Sequence, residues 1–167
     1  PGLGAEEESH ALVRETLSFF DGPVVLDADA LRPEILKDAK NPDRLVLTPH
    51  AGEFARIADS RSPEEYASET GSVLVFKGSH TRIVSPRSNH YSMLGSSVLA
   101  RGGSGDLLTG ILGAMLAKET FDLSTSAALA VLWHGRAAEV LARQHGQEAV
   151  YATDLLGYLS FAIRNDF

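Results

Sequence analysis

The chain has 167 residues, a formal net charge of −7 and no cysteine. A chain of this length can bury one sizeable core, so we expect a single domain over residues 1–167. The acidic balance argues against nucleic acid or an anionic membrane as a partner, because both require clusters of Lys and Arg. A chain without cysteine can have neither a disulfide framework nor thiolate chemistry. With no signal-peptide pattern and no apolar run of bilayer length, we expect a cytoplasmic protein.

The first half of the chain alternates helical patterns with short apolar runs. A helical pattern over residues 6–20 is followed by three apolar runs, Val24–Leu26, Leu45–Leu47 and Val73–Phe76. Apolar runs without alternation are typical of strands that are covered on both faces. Because helical patterns separate these runs, they predict βαβ crossovers and a three-layer α/β/α fold with a mostly parallel sheet.

The second half predicts a hairpin followed by a helical region. Two strand-like pieces, at residues 81–84 and 90–94, flank a polar turn. Helices are predicted at residues 106–118 and 124–144, and a last one begins near residue 153. The chain opens on a turn-like Pro-Gly-Leu-Gly segment that ordinarily follows a strand, so we expect part of the fold to lie upstream of it.

Polar residues follow each of the three predicted parallel strands. In parallel α/β sheets, ligands bind beyond the carboxyl ends of the strands, so these residues should converge on one crevice. After the third strand, Lys77 and Gly78 place a point charge beside exposed backbone, which suits a nucleotide phosphate. A solvated lysine in a tight turn is the alternative. After the first strand, Asp27 and Asp29 are more simply explained as caps of the next turn than as paired catalytic carboxylates.

After the second strand, His50 and Glu53 are the candidates for chemistry. His50 can donate a hydrogen bond to a substrate hydroxyl or amide, and Glu53 can bind Mg²⁺ through water. Alternatively, both residues only begin the following helix.

Residues 101–116, RGGSGDLLTGILGAML, join a glycine-rich turn to an apolar helix. The three glycines of the turn, Gly102, Gly103 and Gly105, permit backbone conformations closed to other residues, so N–H groups can converge on an anion where the helix dipole is positive. Asp106 follows in the first turn and would be repelled by a phosphate unless a cation or a transferable proton intervened. Asp106 is therefore predicted to act as a base. The alternative is that Ser104 or Asp106 only caps the helix.

The remaining histidines predict no zinc site. His134 lies inside a long apolar helical pattern and is predicted to be a core or interface histidine. His10, His90 and His145 have no metal-ligand spacing with any partner residue.

Six motifs resemble, in order, those of the ADP-dependent NAD(P)H-hydrate dehydratases of the ribokinase-like superfamily. They are PGLG at 1–4, VVLDADAL at 24–31, LTPHAGEFARI at 47–57, KGSHT at 77–81, GGSGDLLTGILGAMLA at 102–117 and TDLL at 153–156. Together they span nearly the whole chain, and their order is more specific than any single motif. The resemblance implies a ribokinase-like fold that is shortened at its N-terminus, because the family usually has further α/β units before PGLG.

The resemblance also implies roles for individual residues. Asp106 would act at the hydrated nicotinamide ring, and Gly4 and His50 would line the same substrate pocket. ADP, or ATP, would phosphorylate the ring hydroxyl of NADHX or NADPHX in the presence of Mg²⁺, so that phosphate leaves and NADH or NADPH is restored. The residues expected at the adenine nucleotide are Lys77, Gly78, Ser79, His80, Thr81, Gly103, Ser104 and Gly105.

Two other interpretations stay open. A small-molecule kinase of the same superfamily, acting on a thiazole or pyrimidine alcohol, would use the same aspartate, although His50 in TPHAGE argues against it. The third is a non-catalytic nucleotide-binding remnant whose open sheet edge pairs with another chain. We expect a homo-oligomer.

Overall fold

A computed structural model describes residues 1–164 and contains a five-stranded sheet between two layers of helices. The strands follow the chain in spatial order, and the three parallel strands β1–β3 are extended by an antiparallel hairpin, β4–β5. The strand bounds are Val24–Leu26 for β1, Leu45–Leu47 for β2, Val73–Phe76 for β3, Thr81–Ser85 for β4 and Ser88–Ser92 for β5.

Seven α-helices lie within the described residues. Four of them precede the hairpin and three follow it, and no helix in this part of the chain is long and apolar enough to cross a membrane. Their bounds are Glu7–Phe19 for α1, Pro33–Leu36 for α2, Ala51–Ile57 for α3, Pro63–Thr70 for α4, Ser104–Leu116 for α5, Leu123–His145 for α6 and Leu155–Ile163 for α7.

Both faces of the central strands β2 and β3 are buried, which explains their apolar runs without alternation. Leu45, Leu47 and Leu74 pack with residues of α1–α4, whereas Val46 and Val75 pack on the opposite face with α5 and α6. Successive residues of a strand point to opposite faces, so every position of such a strand meets a helical layer. The predicted three-layer α/β/α architecture is confirmed.

The hairpin was predicted at the right place but with wrong limits. Ser85 pairs with Ser88, so only two residues form the turn, and Asn89 lies within β5 rather than in the turn. The Ser85 hydroxyl accepts hydrogen bonds from the backbone N–H groups of Arg87 and Ser88. These side-chain contacts let turn-favouring residues begin a strand.

Helix α6 packs closely against the loop that follows the hairpin. A Cβ added at Gly135 would lie 2.9 Å from the backbone oxygen of Leu94 and 3.0 Å from its carbonyl carbon. The obstacle is backbone rather than the end of a flexible side chain. Glycine at 135 therefore permits the close approach of α6 to this loop.

We expect Gly135→Ala to destabilise the fold by about 1–3 kcal/mol, because overpacking against backbone forces the loop or the helix to move. Urea unfolding followed by circular dichroism measures the change. Gly113→Ala is the matched control, since no atom of the part of the chain that the structure describes lies within 4 Å of its added Cβ on the exposed side of α5. That variant should be neutral or gain up to about 1 kcal/mol from helix propensity. Equal stabilities for the two variants would contradict the prediction.

Candidate active site

The carboxyl ends of β1, β2 and β3 meet the first turns of α5 at a buried aspartate. Asp27 follows β1 and is 4% exposed. Its Oδ1 accepts hydrogen bonds from Thr48 Oγ1 at 2.6 Å and Lys77 Nζ at 2.8 Å, and its Oδ2 accepts one from Thr109 Oγ1 at 3.4 Å. One carboxylate thus connects three strand ends with α5. The expectation that Asp27 caps the next turn was wrong, because its side chain makes no capping bond to the short 3₁₀-helix that follows.

Two opposing effects act on the acidity of Asp27. Burial raises the pKa of this carboxyl, but the hydrogen bonds from Lys77 and Thr48 and the charge of Lys77 outweigh burial. The net result is a pKa below the ordinary aspartate value, so the side chain is an anion at neutral pH.

His50 and Glu53 together begin α3. His50 Nδ1 accepts hydrogen bonds from the backbone N–H groups of Gly52, at 3.0 Å, and Glu53, at 3.3 Å, while Glu53 Oε2 accepts one from the His50 N–H at 2.8 Å. This reciprocal arrangement is a capping box. It confirms the prediction that both residues begin the helix that follows β2. Because Nδ1 accepts, the proton of the neutral ring lies on Nε2, and the side chain is 59% exposed. The Nε2 atom lies 3.5 Å from Glu53 Oε1, so this N–H group faces the Glu53 carboxylate at the edge of the site.

Lys77 is held by carboxylates rather than solvated. Its Nζ lies 2.8 Å from Asp27 Oδ1 and 3.6 Å from Glu53 Oε2, and the side chain is 24% exposed. The same Nζ is 3.6 Å from the position that a Cβ would take at Gly105, in the first turn of α5. The ammonium group thus reaches the N-terminus of that helix, and the alternative of a solvated turn lysine was wrong.

Among residues 1–164, no side chain caps the N-terminus of α5. Gly103 precedes the helix in the left-handed region with φ of 89°, a conformation that glycine adopts without strain. Ser104 is buried, and its Oγ lies 3.4 Å from His134 Nε2 instead of bonding to the helix. The capping alternative for Ser104 and Asp106 was therefore wrong. The Ser104 N–H donates to the Arg101 carbonyl at 3.2 Å, so the N–H groups of Gly105 and Asp106 are those that could meet an anion.

Asp106 lies in the uncapped first turn of α5. It is exposed, and within the described residues its carboxylate has no hydrogen-bond or ion-pair partner. A carboxylate that is accessible and unpaired can accept a proton from a bound group.

His134 is a core histidine, as its position in the helix predicted. It lies on α6 and is 4% exposed. Burial lowers the pKa of His134 to about 4, although hydrogen bonding to the Ser104 backbone acts in the opposite direction. The ring is therefore neutral at pH 7 and supports the N-terminus of α5 without adding charge.

A cleft of about 680 Å³ opens at this end of the sheet. It is also lined by residues of the segment 93–100. Gly4, Glu53, Gly103 and Asp106 do not line it. The predicted site residues that it brings together are His50, Lys77, Gly78, Ser79, His80, Thr81, Ser104 and Gly105.

Sequence reasoning missed three contributors to this site. Thr48 and Thr109 donate to Asp27, and His134 contacts Ser104. The only sequence signal for Thr48 was its place directly after a buried strand. Thr109 and His134 gave no signal that separates them from ordinary helix residues.

The three layers, the polar strand ends and the uncapped glycine turn define a ribokinase-like α/β domain with an uncapped helix N-terminus at its candidate site. A solved ribokinase-like protein from Enterococcus faecalis shares this fold with a TM-score of 0.81 over 97% of the chain and 60% of its own, at 22% identity. The family model for NAD(P)H-hydrate dehydratase matches residues 1–160. The chain belongs to the NAD(P)H-hydrate dehydratase family.

Two relatives illustrate this membership. The bifunctional NAD(P)H-hydrate repair enzyme Nnr of Moorella thermoacetica is 38% identical over 181 residues, which cover 99% of this chain and 34% of the relative. The ADP/ATP-dependent NAD(P)H-hydrate dehydratase of Bacillus subtilis is 31% identical, with a TM-score of 0.84 over 97% of this chain and 63% of its own. The chain thus spans about a third of the curated relative and under two thirds of the solved one.

Proposed function

We propose that this chain catalyses the ADP- or ATP-dependent dehydration of NADHX or NADPHX to NADH or NADPH. The observation that carries the proposal is Asp106, an exposed and unpaired carboxylate in the uncapped first turn of α5. Lys77 reaches the same helix terminus from β3. A base, a cation and free amides in one place suit the transfer of a phosphoryl group to a hydroxyl.

In the proposed reaction, Asp106 accepts the proton of the hydroxyl on the hydrated nicotinamide ring. The hydroxyl oxygen attacks the terminal phosphorus of ADP, the new P–O bond forms, and AMP leaves; with ATP, ADP leaves. The ring C–O bond then breaks, phosphate departs with the bonding pair, and loss of a ring proton restores the double bond. The amides of the glycine turn stabilise the charge that develops on the moving phosphoryl group.

The nucleotide is proposed to occupy the cleft of about 680 Å³. Lys77, Gly78, Ser79, His80 and Thr81 form one side of this cleft, and Ser104 and Gly105 form another part of its lining. Gly103 would contribute through its backbone at the helix start, and Gly4 and His50 are proposed to contact the nicotinamide substrate. For His50 the support is its exposed ring, which lines the cleft and has Nε2 at 3.5 Å from Glu53 Oε1.

Mg²⁺ fits this site only as an ion held mainly by the nucleotide phosphates and water. No group of three or more His, Cys, Asp or Glu that could hold a metal occurs among the described residues, and Glu53 already serves the capping box. A single carboxylate acting through water suits Mg²⁺, which gives up its waters reluctantly. Glu53 is therefore the proposed residue, and the ion would neutralise charge on the transferred phosphoryl group. The Bacillus subtilis dehydratase was co-crystallized with ATP and Mg²⁺.

The test is to incubate the chain with NADHX, ADP and Mg²⁺ and to follow the absorbance of the reduced nicotinamide ring. We expect the absorbance to recover in proportion to protein. The Bacillus subtilis dehydratase in the same assay is the positive control. No recovery with this chain, while the control recovers, would contradict the proposal. ADP binding without turnover would favour the nucleotide-binding remnant instead, and phosphate transfer from ATP to a thiazole alcohol would favour the kinase.

The proposal also covers the oligomeric state and the cellular location of this protein. β1 and β5 form the two edges of the described sheet, and β5 carries the exposed Tyr91. Open edges favour pairing between chains, so we propose a homo-oligomer, which sedimentation velocity measures directly. The proposed substrates are damaged forms of intracellular cofactors, which supports a cytoplasmic location.

A further inference from the structure

We infer that Asp27 is a positioning residue that holds the Lys77 ammonium at the N-terminus of α5 for a nucleotide phosphate. The inference rests on the proposed function, because it assigns a role within the same nucleotide site. Asp27 itself does not line the cleft, so it would act on the ligand through Lys77.

The position of Lys77 is electrostatically unfavourable without compensation. Its Nζ lies against Gly105 in the first turn of α5, where the helix dipole is positive and a cation is disfavoured. Asp27, at 2.8 Å, and Glu53, at 3.6 Å, supply the negative charge that keeps it there. A phosphate that enters this place meets the ammonium and the helix amides together.

Asp27 is the fixed member of this arrangement. Thr48, at the end of β2, donates to its Oδ1 at 2.6 Å and restrains the carboxylate. The Thr109 hydroxyl lies 3.4 Å from its Oδ2 but makes its shorter hydrogen bond, at 3.0 Å, to the Gly105 carbonyl. Glu53 lies further from Lys77, and its Oε2 is already bonded to the His50 backbone. The orientation of the ammonium is therefore determined chiefly by Asp27.

A purely structural ion pair explains this arrangement less well. Buried ion pairs contribute little net stability, because desolvation of the charges offsets their attraction. Lys77 also lines the cleft and keeps 24% of its side chain exposed there, so its charge is presented to a ligand.

The experiment is a double-mutant cycle on ADP affinity, measured by isothermal titration calorimetry. Asp27→Asn keeps the shape of the side chain and removes its charge, and Lys77→Met removes the ammonium. We expect each single variant to bind ADP about tenfold more weakly. Because Asp27 acts through Lys77, the double variant should bind no more weakly than Lys77→Met alone. Asp29→Asn is the matched control, with the same charge change two residues away, and should bind within twofold of the parent chain.

A spectroscopic readout separates positioning from general stability. The chain has four lysines, so ¹³C-labelled lysine gives few Cε signals, and Lys77→Met assigns the one from Lys77. We expect this signal to move in Asp27→Asn and to stay in place in Asp29→Asn. Thr48→Val serves if Asp27→Asn does not fold, because it removes the 2.6 Å bond to Asp27 and keeps both charges. It should weaken ADP binding about threefold.

The outcomes distinguish this inference from the proposed function. A parent chain that does not bind ADP defeats the proposed function and this inference with it. A parent chain that binds ADP while Asp27→Asn, or the substitute Thr48→Val, binds equally well overturns this inference alone. Losses that add in the double variant would also overturn it, because Asp27 would then act independently of Lys77.

Discussion

Asp106→Asn is expected to lower the turnover number for NADHX with ADP by about 100-fold or more. The amide is nearly the same size as the carboxylate but cannot accept the proton of the ring hydroxyl. Because the carboxylate is exposed and has no hydrogen-bond or ion-pair partner within the described residues, its loss removes no contact from the fold. ADP affinity and the thermal midpoint should therefore hardly change. Recovery of absorbance under saturating substrate measures the turnover number, and calorimetry measures the affinity.

A second aspartate, at the start of another helix, is the control, because its substitution should lower stability and leave turnover unchanged. Asp122 caps α6 by accepting a hydrogen bond from the Thr125 N–H at 2.7 Å. Asp122→Ala should cost about 1 kcal/mol of unfolding free energy and leave the turnover number unchanged. If Asp106→Asn kept more than a tenth of the parent turnover, or lost stability as Asp122→Ala does, Asp106 would not be the base.

The three parallel strands could be predicted because buried strands consist of apolar residues. Val24–Leu26, Leu45–Leu47 and Val73–Phe76 are strands with the predicted limits, since a strand covered on both faces needs apolar residues at every position. The hairpin limits were harder to predict. Ser88 and Asn89 have the composition of a turn, and only the hydrogen bonds around Ser85 show that they already belong to β5.

The place of the site could also be predicted, but the partners within it could not. Parallel strands bring their carboxyl ends to one edge, which was enough to locate His50 and Lys77. Asp27 was misjudged because local rules compare it only with its neighbours in the chain. Its actual partners Thr48, Lys77 and Thr109 lie 21, 50 and 82 residues away, and no spacing rule connects them.

The cap of α5 at the glycine turn could not be predicted from local sequence either. Its composition predicted an anion site, but local preference equally allowed Ser104 to cap the helix. The structure places Gly103, which has no side chain, at the N-cap position, and Ser104 is the first residue of the helix, with its hydroxyl 3.4 Å from His134 Nε2. Composition alone did not show which of these two residues would occupy the N-cap position.

His134 is expected to make the fold less stable as the pH falls from about 6.5 to about 4. Burial lowers the pKa of His134 from its ordinary value of 6.5 to about 4. The unfolded chain therefore binds one more proton than the folded chain within this range. The stability is fully present above pH 6.5 and declines by about 1.4 kcal/mol per pH unit, for a total of about 3 kcal/mol. Urea unfolding between pH 7.5 and pH 4.5 measures the slope.

His134→Gln should remove this slope, because glutamine can bond to Ser104 but does not titrate. His90→Gln is the control, since His90 is exposed on β5 and its loss should leave the slope in place. Asp27 does not interfere, because its lowered pKa places its contribution below about pH 3.8, where stability is lost as the carboxylate is protonated. An equal slope in the parent chain and in His134→Gln would show that burial does not lower the pKa of His134, because the imidazole would then gain its proton over the same pH range in the folded and the unfolded chain.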